Sequence, residues 1–292
     1  MKRYTTMERT LSRNESKVVL DLEWRGQKTV TLAGIRDALD CSEGYARFMA
    51  HQLVKKGWLE RLGPGLYRLV PAERGREGVG DSNPLAAGAA LVSPCFFSFG
   101  TACTHHGLTE QVFSEIFAVT RVRRKPRYVH GRRFVFVTVP AERFFGFAEQ
   151  QILGEPVRMA TIERALVDAL ERPRYAGGIG EVSRIVARSA RRVSWDGLLD
   201  CLRRFGVSAL AQRLGYLLDL HGIEVPAEVL TALHGLVRPG SKVPLGPGAK
   251  WGRHGPLSRS WGVIENVPRD VLLAADGPSK RRVRFGRKKG DA

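Results

Sequence analysis

Between Asn14 and Val70 the apolar residues recur three times at helical spacing and then switch to two short runs. Val18, Val19 and Leu22, with Leu11 ahead of them, form one stripe and predict a first helix over 14–24 that Gly26 ends. Thr31 stands where an N-cap hydroxyl belongs, and Leu32, Ile35, Ala38 and Leu39 give the next helix its inner face. Asp40 and Cys41 make the turn. Ser42 caps a third helix, Glu43 favours its positive end, and Ala46, Met49, Ala50 and Leu53 fall on one side before Gly57 closes it. Trp58 to Arg61 and Leu66 to Val70 then read as strands around Gly63, Pro64 and Gly65. Two short helices, a basic third helix and a glycine-tipped hairpin are the parts of a winged helix-turn-helix, in that order. Protein-binding winged helices share the pattern, so the alternative partner stays open.

On a 100° wheel, the side of the third helix opposite its apolar stripe carries Gly44, Arg47, Phe48, His51 and Lys55, with Tyr45 and Gln52 on the flanks. Arginine grips guanine with two hydrogen bonds and glutamine does the same with adenine, while Ser42 and Gly44 let the helix start approach a phosphate. The wing is expected to carry Arg61 and Arg68 toward backbone phosphates. The candidate DNA-binding set is therefore Ser42, Gly44, Tyr45, Arg47, His51, Gln52, Lys55, Arg61 and Arg68. A solvated basic face is the plainer reading of the same helix, and Phe48 can equally pack on a neighbour.

After this module, which spans residues 1–70, a charged, glycine-rich stretch over 71–83 reads as a linker. The remaining body, 84–279, mixes short helices with strand-like runs at Glu115–Thr120, Phe134–Val139 and Pro156–Met159, then becomes helical. Helices are expected over 161–170, 178–190, 194–205, 208–220 and 226–237, followed by a glycine- and proline-rich irregular segment over 238–255 and a short strand at 261–264. The fold class is α+β: a winged helix-turn-helix joined to a larger mixed domain with short strands and a helical half. Residues 280–292 read as a basic, disordered tail.

Charge sharpens this picture only when it is divided along the chain. The formal net charge of +18 comprises +5 over residues 1–79, +7 over 80–279 and +6 over 280–292. Seven bases of the middle lie in one acid-free run, Arg121, Arg123, Arg124, Lys125, Arg127, Arg132 and Arg133, and outside it the middle is neutral. With Lys280, Arg281, Arg282 and Arg284 of the tail, that run forms an auxiliary basic patch suited to a polyanion, DNA or RNA.

Other chemistry is sparse. The four cysteines are widely separated and lack a C-x-x-C pair, which suits free thiols in a reducing compartment. Residues 1–10 lack the apolar core of a secretory signal and no apolar run reaches membrane length, so a cytoplasmic protein without membrane contact is expected. Cys103, His105 and His106 sit together, yet adjacent histidines point to different sides of a helix, and Gly107 suggests an ordinary helix end. No phosphate-binding loop and no D-x-D pair follows Gly240 and Ser241, and Glu15-Ser16-Lys17 lies at a helix start rather than beside a buried strand. Glu163, Asp168, Tyr216 and Asp219 read as structural. Trp251, with Lys250 and Arg253, is a candidate for stacking on a nucleobase if its loop is exposed. No enzyme, cofactor or metal is implied.

The run Phe97-Ser98-Phe99-Gly100-Thr101-Ala102-Cys103-Thr104-His105-His106-Gly107-Leu108-Thr109-Glu110-Gln111 resembles the segment that opens the C-terminal domain of AbiEi-family antitoxins. Thr161 to Asp168 with Arg172 to Gly178, and Arg213 to Leu218, are similar to later segments of the same family. The resemblance covers residues 14 to 270; the basic tail is not part of the family's pattern. It implies a type IV antitoxin that represses its own operon at inverted repeats. The toxin it implies is a nucleotidyltransferase, with no stable complex between the two, in a phage-defence setting. An RNA-binding module that shields tRNA or another RNA from a toxin is the alternative, as is a winged-helix regulator without a toxin partner.

Overall fold

A computed structural model describes residues 10–70, 72, 83–129 and 131–274; nearly all of the expected linker and all of the expected tail lie outside them. The chain divides into two compact units. One holds the described residues up to His106 together with Val112–Asp168, and the other holds Gly107–Gln111 and what is described from Ala169 onward.

The first unit begins with α1 (Arg13–Trp24), β1 (Thr29–Thr31), α2 (Leu32–Leu39), α3 (Glu43–Lys55), β2 (Leu59–Gly63) and β3 (Leu66–Leu69). The apolar positions that predict these helices meet in one core: Val18, Val19 and Leu22 of α1, Ile35 of α2, and Ala46, Met49, Ala50 and Leu53 of α3. Two hydroxyls act as caps, since the Thr31 side chain accepts from the Gly34 N–H and Ser42 from that of Tyr45. Glu15 is buried. Burial works to raise its pKa, but hydrogen bonds from the Lys56 ammonium at 2.7 Å and the Ser12 N–H at 2.7 Å outweigh it and hold the carboxyl below its usual value. Its carboxylate therefore ties the start of α1 to the end of α3. The three strands lie in the order β1-β3-β2, all antiparallel. Strand β1 was not expected, because Thr31 both ends the strand and caps α2, leaving a strand of only three residues.

The same unit continues through α4 (Pro84–Ala90), β4 (Cys95–Phe97), α5 (Phe99–His105), β5 (Glu115–Thr120), β6 (Arg127–Val129), β7 (Arg132–Thr138), β8 (Phe147–Ile152), β9 (Glu155–Ala160) and the start of α6 (Ile162–Glu171). The six strands form one mixed sheet in the order β6-β7-β5-β4-β9-β8. The pairs β5–β7 and β4–β9 are parallel, the others antiparallel. Helix α4 packs on the β7 ring face at Gly88, where a Cβ would lie 2.0 Å from the Phe134 ring, so only glycine fits there. The basic run, expected to separate strands, instead contains β6 and the start of β7. Alternation identifies a strand poorly when it is three residues long and two of them are exposed.

Three segments are joined inside this unit by one buried arginine. Arg164 of α6 donates through Nε to Asp168 at 2.9 Å and through Nη1 to the carbonyls of Arg143 and Phe145 at 2.7 and 3.0 Å. Its guanidinium carbon lies 5.2 Å from the Phe96 ring centroid and 4.8 Å from that of Phe145. The Ser98 hydroxyl donates to the same Asp168 carboxylate at 2.6 Å. A buried charge is tolerable only when it is met in this way.

The second unit is largely helical: α7 (Ile179–Ser189), α8 (Trp195–Phe205), α9 (Ser208–Leu220), α10 (Ala227–Gly235) and α12 (Arg269–Leu273). The segment expected to be irregular carries β10 (Val243–Pro244) and the single turn α11 (Gly248–Trp251), and β10 joins β11 (Leu257–Ser258) and β12 (Val263–Ile264) in a small sheet. Asn266 holds that segment, its amide donating to the carbonyls of Gly246 and Gly252 at 3.1 and 2.7 Å and accepting from the Gly246 N–H at 2.9 Å. Trp261 is buried against Gly215, stacks on His234 with centroids 4.0 Å apart, and donates to Asp219 at 2.6 Å. Thr109 donates to the buried Glu181 at 2.6 Å. The fold is α+β, as the hydrophobic pattern predicts.

Candidate nucleic-acid interface

Helix α3 buries one face and exposes the other. Ala46, Met49, Ala50 and Leu53 are in the core, whereas Ser42, Gly44, Tyr45, Arg47, Phe48, His51 and Lys55 are exposed and Gln52 is half-buried. These side chains share one face because the helix turns through 100° per residue. Its first turn presents backbone N–H groups at Gly44, a position without a side chain to block a phosphate. Phe48, 53% exposed, stands beside Tyr45 with ring centroids 6.1 Å apart. An apolar ring on a helix that enters a major groove can meet a thymine methyl.

Two contacts hold this face. Arg47 is paired with Glu43 one turn earlier at 2.5 Å. Asn14 of α1 donates to the Tyr45 hydroxyl at 3.0 Å, fixing the ring at the helix start. Asn14 was missed in the sequence because its role depends on how α1 crosses α3, 31 positions away along the chain.

The wing separates the two arginines that sequence reading put together. Arg61, on β2, is exposed, and its Nε donates to the Gly63 carbonyl at 3.4 Å beside a register shift between Arg61 and Gly63. Arg68, on β3, does not reach outward. It is only 3% exposed, pairs with Glu155 of β9, and lies 3.8 Å from Glu60, its register partner on β2. On β3, the central strand of its sheet, Tyr67 and Leu69 face the helical core and Arg68 turns to the opposite face, where Glu155 and Glu60 meet it. The expected phosphate contact at Arg68 is thus replaced by a buried ion pair.

Of the basic run, Arg121, Arg123, Arg124, Lys125, Arg127 and Arg132 are exposed, and Arg133 is half-buried and paired with Glu115. Lys280, Arg281, Arg282 and Arg284 lie outside the described residues. His106 contacts the Ala160 carbonyl at 2.7 Å through Nε2, and the His105 pKa is lowered by burial and by neighbouring His106. Asp168 and Asp219 are in the packing contacts already given. Lys250 lies 4.8 Å from the Trp251 ring, which is half-buried. No helix among the described residues is long and apolar enough to cross a membrane.

Comparison with known proteins bears on the same segment. Residues 17–70 match the family model described as transcriptional regulator, AbiEi antitoxin. The N-terminal region is similar to AbiEi-type regulators. The match spans α1 through the wing, so the exposed face of α3 belongs to a domain type described as regulatory. A DNA-binding antitoxin role has that support. The chain is also similar in fold to the crystal structure of the RV2827C protein from Mycobacterium tuberculosis, with a TM-score of 0.58 over 89% of this chain and 94% of that one, at 17% identity. No curated protein matches the chain.

Proposed function

We propose that the protein is a DNA-binding transcriptional autorepressor and the antitoxin of a type IV toxin–antitoxin operon. The observation that carries this reading is the exposed row Arg47, His51 and Lys55 on α3, projecting from an AbiEi-type regulator module. In this reading α3 enters the major groove at inverted repeats of the protein's own promoter, and Arg61 of the wing meets a phosphate. The module occupies residues 1–70, a linker follows at 71–83, and 84–279 is the antitoxin domain, with the tail 280–292 and the run at 121–133 adding contacts to a polyanion. The protein works in the cytoplasm, needs no cofactor, and is not an enzyme. It counteracts a nucleotidyltransferase toxin in phage defence without a stable complex. Signature residues of the antitoxin domain act as scaffold: Ser98, Arg164 and Asp168 share one hydrogen-bonded cluster.

Fluorescence anisotropy on a duplex from the protein's own promoter tests the repressor half. Arg47→Ala should weaken binding by about 1–3 kcal/mol and relax base preference at one position of each half-site. Binding that is equally strong for unrelated duplexes, or unchanged by Arg47→Ala, His51→Ala and Lys55→Ala together, overturns the reading. Co-expression with an adjacent nucleotidyltransferase gene tests the antitoxin half, since growth should be rescued by the full chain and also by one carrying Arg47→Ala.

A further inference from the structure

The edge of the six-stranded sheet combines features that the repressor reading uses only as added charge. Arg121, Arg123, Arg124, Lys125, Arg127 and Arg132 are exposed, and the side chain of none has a hydrogen bond or ion pair to another described residue. Six cations without a carboxylate among them repel one another and gain from a polyanion. The residues between them are not all charged. Tyr128 of β6 is 70% exposed, which leaves most of an aromatic ring in water among guanidinium groups.

Strand register places that ring. Tyr128 lies opposite Arg133 of β7, and Arg133 lies opposite Glu115 of β5, so the three side chains form one row across the same face. The neighbouring row, Arg127 with Phe134, belongs to the other face, where Phe134 is covered by Gly88 of α4. Arg133 is paired with Glu115 on its β5 side, which leaves the Tyr128 ring open at the β6 edge of the row. An open aromatic face on an edge strand and a cationic crossing from β5 to β6 match what an unpaired nucleotide needs: a surface for the base and charges for the phosphates. A duplex hides its base faces and offers nothing to an exposed tyrosine ring. We propose that the β6–β7 edge binds single-stranded nucleic acid, with Tyr128 stacking on a base and Arg121 through Lys125 following the backbone.

This surface is separate from the exposed face of α3, and its test keeps the two apart. Full-length protein is titrated with labelled oligouridylate, with labelled oligodeoxyuridylate and with promoter duplex. Tyr128→Ala should weaken single-strand binding about tenfold and leave duplex binding and thermal stability unchanged, while Tyr128→Phe retains the ring and the affinity. The triple change Arg123→Ala, Arg124→Ala and Lys125→Ala should also weaken single-strand binding and reduce its salt dependence. Whichever oligonucleotide binds more tightly names the sugar that the surface meets. Single-strand binding unchanged by Tyr128→Ala overturns the proposal, as does a loss that is equal on single strand and duplex. Arg47→Ala should weaken the duplex arm alone, so failure of the promoter reading leaves the single-strand result interpretable.

Discussion

The β6–β7 edge and the interior beneath β4 are both built around arginine, and they use it in opposite ways. At the edge, the arginines between Arg121 and Arg127 stand in water without a carboxylate partner among the described residues. In the interior, Arg164 has no exposed surface and meets Asp168, two carbonyls and two aromatic rings. Charge by itself therefore says little about function. What an arginine does is set by whether the fold supplies its counter-charge or leaves that to a ligand.

The largest effect expected from this difference is on folding. Asp168→Ala leaves the Arg164 guanidinium buried without its carboxylate and removes the acceptor of the Ser98 hydroxyl. Loss of one partner from a buried pair typically costs about 3–5 kcal/mol, so the variant should unfold at much lower urea concentration. Alanine at Arg123 and Arg124 together should shift stability by no more than about 0.5 kcal/mol. Equal urea midpoints for the two variants would show that the interior cluster contributes no more than the edge.

The wing repeats the comparison within one hairpin. Arg68→Ala strands Glu155 in a covered position and should destabilise the unit by about 3 kcal/mol, whereas Arg61→Ala should leave stability alone. On promoter duplex the order reverses: Arg61→Ala should lower affinity uniformly across sequences and reduce the salt slope by about one. If a stably folded Arg68→Ala protein lost more DNA affinity than Arg61→Ala, the division of labour in the wing would be wrong.

These cases divide what local sequence encodes from what only tertiary packing brings about. The three helices of the module have stripes of apolar residues and local caps at Thr31 and Ser42, and both signals lie within a few residues of each other, so the fold there follows from the pattern. The exposed face of α3 follows from the same periodicity. The fate of Arg68 does not, because its partner Glu155 is 87 positions away and joins it only through tertiary packing. Tyr128 is hidden for a related reason: it stands inside a run whose charge dominates the pattern, and its place opposite Arg133 depends on strand pairing. The structural assignment of Asp168 was reached from the sequence, but its tie to Ser98, 70 positions earlier, was not.

The smallest effect concerns the acid that α3 carries and the sheet edge lacks. Glu43 pairs with Arg47 at 2.5 Å on an exposed surface, and such helix pairs contribute only about 0.3–0.5 kcal/mol. Glu43 also favours the positive end of α3, so Glu43→Gln should cost a similar few tenths in denaturation. On duplex DNA the sign changes, since Arg47 no longer has to leave a carboxylate and one negative charge is withdrawn from the approaching phosphates. Promoter affinity should rise slightly, more at low salt than at high salt. A fall in affinity with an unaltered urea midpoint would mean that Glu43 orients Arg47 for the groove, and the pair would then belong to recognition and not to the resting helix.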